Sequence, residues 1–260
     1  MDFTTPEVRH LQVGTMRVEV YPSRAAAGEA AARAAANAIL ELLQKREFVA
    51  VIFATGASQL DMLSALTGIH DLPWERILGF HLDEYIGISP DHPASFRRYL
   101  RARLTSKVKM KEFFEMNGSA VVPQQTCQQY AEKLRAADPQ LCLLGIGENG
   151  HLAFNDPSVA DFSDPLDVKI VQLDEACRIQ QVAEGWFESV DKVPEQAITL
   201  TIPALMRVPR LIVSVPGSRK AAIVRRSLED PISKLCPATI LRTHPDATVY
   251  LDVDSAAELN

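Results

Sequence analysis

Phe48-Val49-Ala50-Val51-Ile52-Phe53-Ala54-Thr55-Gly56-Ala57-Ser58 decides the fold. An unbroken apolar run with β-branched members is the pattern of a strand covered on both faces, as in a parallel sheet. The run ends in small residues, and residues 59–66 resume a helical period. Upstream, 17–21 alternates like a strand. Pro22 then opens an alanine-rich helix over 23–46. Downstream the alternation continues, with a strand at 76–80, helices at 93–104 and 126–137, and an apolar strand at 141–146. The 93–104 helix carries a basic face of Arg97, Arg98, Arg101 and Arg103. Strands at 197–201, 211–215 and 248–252 and a helix at 218–228 complete the set. This order predicts an α/β fold, a mostly parallel sheet with helices on both faces. The chain reads as one domain over 1–260 with a candidate lid at 173–194.

Composition bounds the function. The 260 residues are 47% hydrophobic and 23% charged, ordinary for a globular chain. A net charge of −6 argues against nucleic acid as a partner. No apolar run reaches the ~18 residues a membrane helix needs, and the polar stretch 1–12 does not read as a secretory signal. Cys127, Cys142, Cys177 and Cys236 are scattered without a CxxC spacing and read as reduced thiols. A cytoplasmic protein is expected, and the oligomeric state stays open between monomer and homo-oligomer.

In open α/β sheets ligands bind beyond the carboxyl ends of the strands. Four segments there carry chemistry. Thr55-Gly56-Ala57-Ser58 either cradles an anion at a helix N-terminus or only caps the helix through Ser58. Asp83-Glu84-Tyr85, read as a loop, is either a solvated pair of acids or a general base facing a cleft. Gly145-Ile146-Gly147-Glu148-Asn149-Gly150-His151 delivers a histidine from a glycine-rich turn, with Asn149 and Asp156 near enough in sequence to orient it. Gly217-Ser218-Arg219-Lys220 sets a lysine at a helix start, either solvated or a second anion donor. No P-loop, GxSxG or HExxH pattern is present, and His81 and His151 share no metal-ligand spacing. Neither metal nor cofactor is expected.

Together these segments resemble the glucosamine-6-phosphate deaminases, also called isomerases, in order and over about residues 17–254. Phe80-His81-Leu82-Asp83-Glu84-Tyr85-Ile86-Gly87 is similar to the DEY segment of that family, and Gly147 to Pro157, above all Gly150-His151-Leu152-Ala153-Phe154-Asn155-Asp156-Pro157, to its GH segment. The resemblance implies a modified Rossmann-like fold and a metal-free isomerisation of an amino-sugar phosphate with loss of ammonia. It assigns Asp83 as the base between C2 and C1 and His151 to ring opening, with Asn149 and Asp156 orienting the histidine. It assigns Thr55, Gly56, Ala57, Ser58 and Lys220 to the phosphate. Arg178 is the nearest basic residue to the family's lid arginine and takes that role by resemblance. Position 149 is Asn where many members carry Asp, and Asp156 is one methylene shorter than the usual Glu. Some members bind an acetylated sugar phosphate as an activator after the GH segment. Here Asp161, Asp164 and Asp167, with only Lys169 basic, predict that such activation is absent. The alternatives are a 6-phosphogluconolactonase-type hydrolase, a galactosamine-6-phosphate deaminase and a non-catalytic sugar-phosphate sensor.

Overall fold

Residues 8–259 are described by the computed structural model, so the polar stretch 1–12 lies, up to residue 7, outside the described residues. In chain order the elements are β1 (Arg9–Val13), β2 (Met16–Tyr21), α1 (Arg24–Leu43), β3 (Val49–Phe53), α2 (Leu60–Thr67) and β4 (Ile77–His81). Next come β5 (Asp83–Tyr85), α3 (Phe96–Leu100), β6 (Glu112–Phe113), α4 (Pro123–Ala137), β7 (Leu141–Leu144) and β8 (Val168–Gln172). The chain ends with α5 (Glu175–Ala183), β9 (Gln196–Leu200), α6 (Ile202–Met206), β10 (Arg210–Ser214), α7 (Ala221–Glu229) and β11 (Ala247–Asp252).

The main sheet runs β1-β2-β11-β10-β7-β3-β4-β6 and is parallel except for the β1–β2 hairpin. Alternation along β3 sends Val49, Val51 and Phe53 to one face, where they pack with α1 and α2. Ala50 and Ile52 go to the other, with α4 and α7. Helices therefore cover both faces, as the apolar strands require. The alanines of α1 let that helix lie close on the sheet; Ala27, Ala31 and Ala35 are wholly buried. The chain runs from β3 through β4 to β6, then returns to the opposite side of β3 at β7 and continues to β10 and β11. Strand order thus reverses between β3 and β7, where a crevice opens at the carboxyl ends.

Three sequence expectations are corrected. The strand at 197–201 is not in the parallel sheet; as β9 it lies between β5 and β8 in a separate antiparallel sheet. Residues 83–85 are β5 of that sheet, not a loop. The helix expected over 93–104 begins at Phe96, and a π-helical turn, Arg101–Thr105, follows α3. β1, β6 and β8 were not legible in the sequence: β1 is mostly polar, β6 has only two residues, and β8 interrupts its apolar residues with Lys169 and ends on Gln172.

Arg97, read as part of a basic helix face, is buried. Its Nε donates to Glu84 at 3.2 Å, and Glu84 is itself 0% exposed. The Glu84 carboxylate also accepts from the amides of Tyr85, Phe96 and Arg97 and from Ser95 Oγ. It therefore caps α3 and ties that helix to β5. A buried charge pair broken on one side leaves the other charge uncompensated, at a cost of about 3–5 kcal/mol. Glu84→Ala should lose stability of that order in urea unfolding, well above what removing an exposed acid such as Glu112 costs.

Candidate active site

A cavity of about 350 Å³ occupies the switch-point crevice. Its walls come from the turn after β3 (Thr55, Gly56, Ala57, Ser58), the start of β5 (Asp83), the 145–151 turn after β7, α5, and the turn after β10 (Gly217 to Lys220). All four sequence segments converge there.

The turns after β3 and β10 are built alike. Each leaves its strand through a glycine in the left-handed half of φ space, Gly56 at 98° and Gly217 at 96°, and each enters a short 3-10 turn that leads into a helix. The first amides of such a turn have no partner within it and are open to an anion. Three positions after each glycine stands a buried polar residue, Gln59 or Lys220. Gln59 Nε2 bonds Ser58 Oγ at 2.9 Å, Ser214 O at 3.3 Å and Leu144 O at 3.5 Å, so it knits the ends of β3, β7 and β10 together. Lys220 is 8% exposed and, among the described residues, has no ion pair or side-chain hydrogen bond. Burial pushes its ammonium below the usual lysine range, opposed by the charges of Glu184 and Glu148. An unpaired, partly desolvated cation lining a cavity is complementary to an anionic group.

Asp83 and Glu84 have opposite fates because successive side chains of a strand face opposite ways. Glu84 is locked into α3. Asp83 lines the cavity, is 6% exposed, and has no side-chain hydrogen bond among the described residues. Burial, with the Glu84 charge adding to it, raises its pKa well above the usual carboxylate range.

His151 also lines the cavity, and its Nδ1 lies against two acceptors. Asn149 Oδ1 lies at 2.7 Å and Asp156 Oδ1 at 3.0 Å. Asn149 Nδ2 donates to the same Asp156 oxygen at 2.9 Å, which leaves its Oδ1 to accept. Both neighbours of Nδ1 are therefore acceptors, so the network assigns the hydrogen to Nδ1 and leaves Nε2 for proton exchange. Asp156 is 0% exposed, and its other oxygen accepts from the Asp174 amide at 3.2 Å. Burial pushes the Asp156 pKa up, but the bonds from His151, Asn149 and Asp174 and the charge of His151 outweigh it and hold the pKa low. Asn149 and Asp156 do not line the cavity; they stand behind the imidazole.

Among the described residues, His151, Asp156 and Cys177 form the one cluster of metal-ligand type, with donor atoms within 4.8 Å of one another. Burial and nearby carboxylates push the Cys177 thiol well above its usual range, keeping it protonated, and Asp156 is already committed to three hydrogen bonds. All four cysteines are free and buried. His81 is buried as well. Burial brings its pKa down to about 3, and its Nε2 accepts from the Met116 amide at 2.7 Å.

Arg178 is elsewhere. Its guanidinium donates to Val190 O at 2.6 Å, so it ties α5 to the turn at Val190–Lys192 and does not line the cavity. The wall that α5 presents is Gln180, Gln181 and Glu184. Gln180 Oε1 accepts from the Glu148 amide at 3.0 Å and Gln181 Oε1 from Tyr85 Oη at 2.8 Å, so the 173–194 segment is docked on the site. Phe187, Leu173 and Val193 pack against Tyr85 and Phe154 there. The acidic run after Pro157 is also neutralised. Asp161 pairs with Lys234, Asp164 with Lys169, and Asp167 with Arg135 and Arg207. Repulsion by that run therefore no longer argues against an anionic activator.

Several supporting residues escaped sequence reading. Thr199 Oγ1 accepts from the Phe154 amide at 3.0 Å, and Asn155 Nδ2 donates to Leu152 O and Leu200 O, both at 2.8 Å, so β9 buttresses the GH turn. Asp252 takes the Gly217 amide at 3.0 Å. Only the glycine-plus-three spacing of Gln59 and Lys220 offered a signal in the sequence.

The fold and the site define a Rossmann-like α/β protein in which Asp83, His151, Lys220 and the 55–58 turn share one cavity. The chain belongs to the glucosamine-6-phosphate isomerase/6-phosphogluconolactonase family, whose model matches residues 22–250. It is 33% identical over 229 residues to a glucosamine-6-phosphate deaminase of Exiguobacterium sibiricum, covering 85% of each chain. The structure is similar to that of a monomeric glucosamine-6-phosphate deaminase, with a TM-score of 0.86 and 30% identity over 93% of this chain and 99% of that one. A 6-phosphogluconolactonase from Thermotoga maritima shares the fold at a TM-score of 0.75 and 20% identity, over 91% of this chain and 99% of that one. No helix among the described residues is long and apolar enough to cross a membrane.

Gly147 carries the imidazole on its bare Cα; a Cβ there would overlap ring atoms Cε1, Nε2 and Nδ1 of His151. Displacement of a reacting group by about 1 Å costs on the order of 10²-fold in rate. Gly147→Ala should lose about that much kcat/KM while its far-ultraviolet circular dichroism stays that of the parent.

Proposed function

We propose that the chain converts an amino-sugar phosphate, glucosamine 6-phosphate in the first instance, to fructose 6-phosphate and ammonia. The observation that carries this reading is the convergence of Asp83, His151 and Lys220 on one cavity. The deaminase relatives, matched over most of both chains, support it.

The phosphate sits against the 55–58 turn and Lys220, which supplies the charge. His151, held by Asp156 and Asn149, moves a proton through Nε2 from the anomeric hydroxyl to the ring oxygen. The C1–O5 bond breaks and C1 becomes an aldehyde, which acidifies the C2 proton. Asp83 takes that proton to give an enolamine and returns it to C1. Water adds to the resulting ketimine at C2, and ammonia leaves. The reaction is thus an isomerisation completed by hydrolysis, with the 173–194 segment as a lid that excludes bulk water.

A raised pKa suits Asp83 to this cycle, because a base that must give its proton back works best with a pKa near the operating pH. It must be ionised to start, so activity should fall on acidification, with the acid limb of kcat/KM centred above the usual carboxylate range. A limb at about pH 4 in a pH–rate profile would remove Asp83 from the role. Asp83→Asn should lower kcat by at least about 10²–10⁴-fold. The same change removes a desolvated charge, so at pH 8 it should raise thermal stability, by about 2–4 °C for each kcal/mol relieved. Ammonia release from glucosamine 6-phosphate and galactosamine 6-phosphate, with 6-phosphogluconolactone in parallel, separates the rival reactions. Lactone hydrolysis without ammonia would overturn the proposal.

A further inference from the structure

Three cations line the cavity, and they are not equivalent. Arg24 is committed to Asp61 at 2.7 Å and to Ala57 O at 3.2 Å, which ties α1 to α2. Lys220 is free of partners among the described residues. Arg219, beside it on the same turn, is held by Glu148 of the GH turn, Nη2 to Oε1 at 2.6 Å. Both partners line the cavity, and their side chains are 51% and 33% exposed. The α5 wall offers no cation, because Arg178 points away and Glu184 stands there instead.

A phosphate dianion held by Lys220 alone keeps about one charge unmatched. We propose that Arg219 is the second phosphate ligand and that Glu148 occupies it in the empty protein, so that the dianion displaces the carboxylate on binding. This rests on the amino-sugar phosphate reading above. A part-exposed ion pair is weak and easily exchanged. The incoming phosphate offers guanidinium two oxygens in the same plane and a second negative charge, the better partner for an arginine fork. Glu148 is three residues from His151, and its amide remains tied to Gln180. Exchange therefore frees the carboxylate without releasing the turn that carries the imidazole. An unphosphorylated amino sugar has nothing to offer Arg219 and leaves the pair closed. The pair accordingly sorts phosphorylated from unphosphorylated sugars.

The two partners then act in opposite senses, which no mere tether between two turns would produce. The probe is inorganic phosphate, titrated calorimetrically into parent, Arg219→Gln, Glu148→Gln and the double variant. Arg219→Gln should weaken phosphate about 10–100-fold, the worth of a charge-assisted hydrogen bond. It should also raise KM for glucosamine 6-phosphate by more than it lowers kcat. Glu148→Gln should tighten phosphate and lower KM, by about 1.5–5-fold for a part-exposed competitor. In the double variant the Glu148 effect should vanish. Equal-sign shifts in phosphate affinity, or no shift with Arg219→Gln, would overturn the assignment. Ammonia release by the parent decides the reaction independently, so a parent silent on every hexosamine phosphate but obeying the opposite-sign rule would sink the reaction and keep the exchange.

Discussion

The Asp156 carboxylate, fully buried, receives hydrogen bonds from the Asn149 amide group, the Asp174 backbone and His151 Nδ1. Those three groups belong to the GH turn, the entry to α5 and the imidazole itself. Because a buried carboxylate is costly unless every oxygen is satisfied, the three are held in one geometry. An anion beside an imidazole can offset positive charge on the ring, which a neutral amide such as Asn149 cannot. Asn149 contributes orientation, its Oδ1 facing Nδ1 and accepting from the His151 amide at 3.1 Å. Charge and orientation are thus divided between two residues, and the shorter reach of aspartate at 156 is met by close packing behind the ring.

The two neighbouring acids of the DEY segment show how burial has contrary consequences. Glu84 is compensated by five hydrogen bonds and stabilises the junction of β5 with α3. Asp83, almost as deeply buried, is left without a partner among the described residues and strains the folded state whenever it is ionised. That strain is what raises its affinity for a proton. Stability given up at position 83 is recovered next door at position 84, a distribution common at functional sites.

At the other end of the cavity the order is electrostatic. The chain is acidic overall, yet the two turns built alike after β3 and β10 gather small residues, free amides and Lys220 around one space. Their likeness is geometric: a left-handed glycine turns the chain out of a parallel strand and aims the following helix at the crevice. Gln59 uses its buried position to hold three strand ends together, while Lys220 in the matching place keeps its charge for the cavity. One local structure thus places an amide that knits three strand ends in one copy and, in the other, an ammonium unpartnered among the described residues.

The main sheet, its coverage by helices and the placing of the four chemical segments after strands were legible from local pattern. Apolar runs of strand length, small-residue turns and helical periods are properties of consecutive residues, and a mostly parallel sheet follows from their alternation. The second sheet was not: β9 was legible as a strand but not as a member of a separate sheet, β8 lies far from it in sequence, and β5 has only three residues, so pairing decides the sheet. Which of Asp83 and Glu84 faces the cavity, that Arg97 is buried while Arg98, Arg101 and Arg103 are exposed, and that Arg178 turns toward Val190 were likewise decided only by tertiary packing. The reason is common to all of them: the residue types needed at the site were written in the chain, whereas the direction of each side chain depends on partners that folding alone brings near.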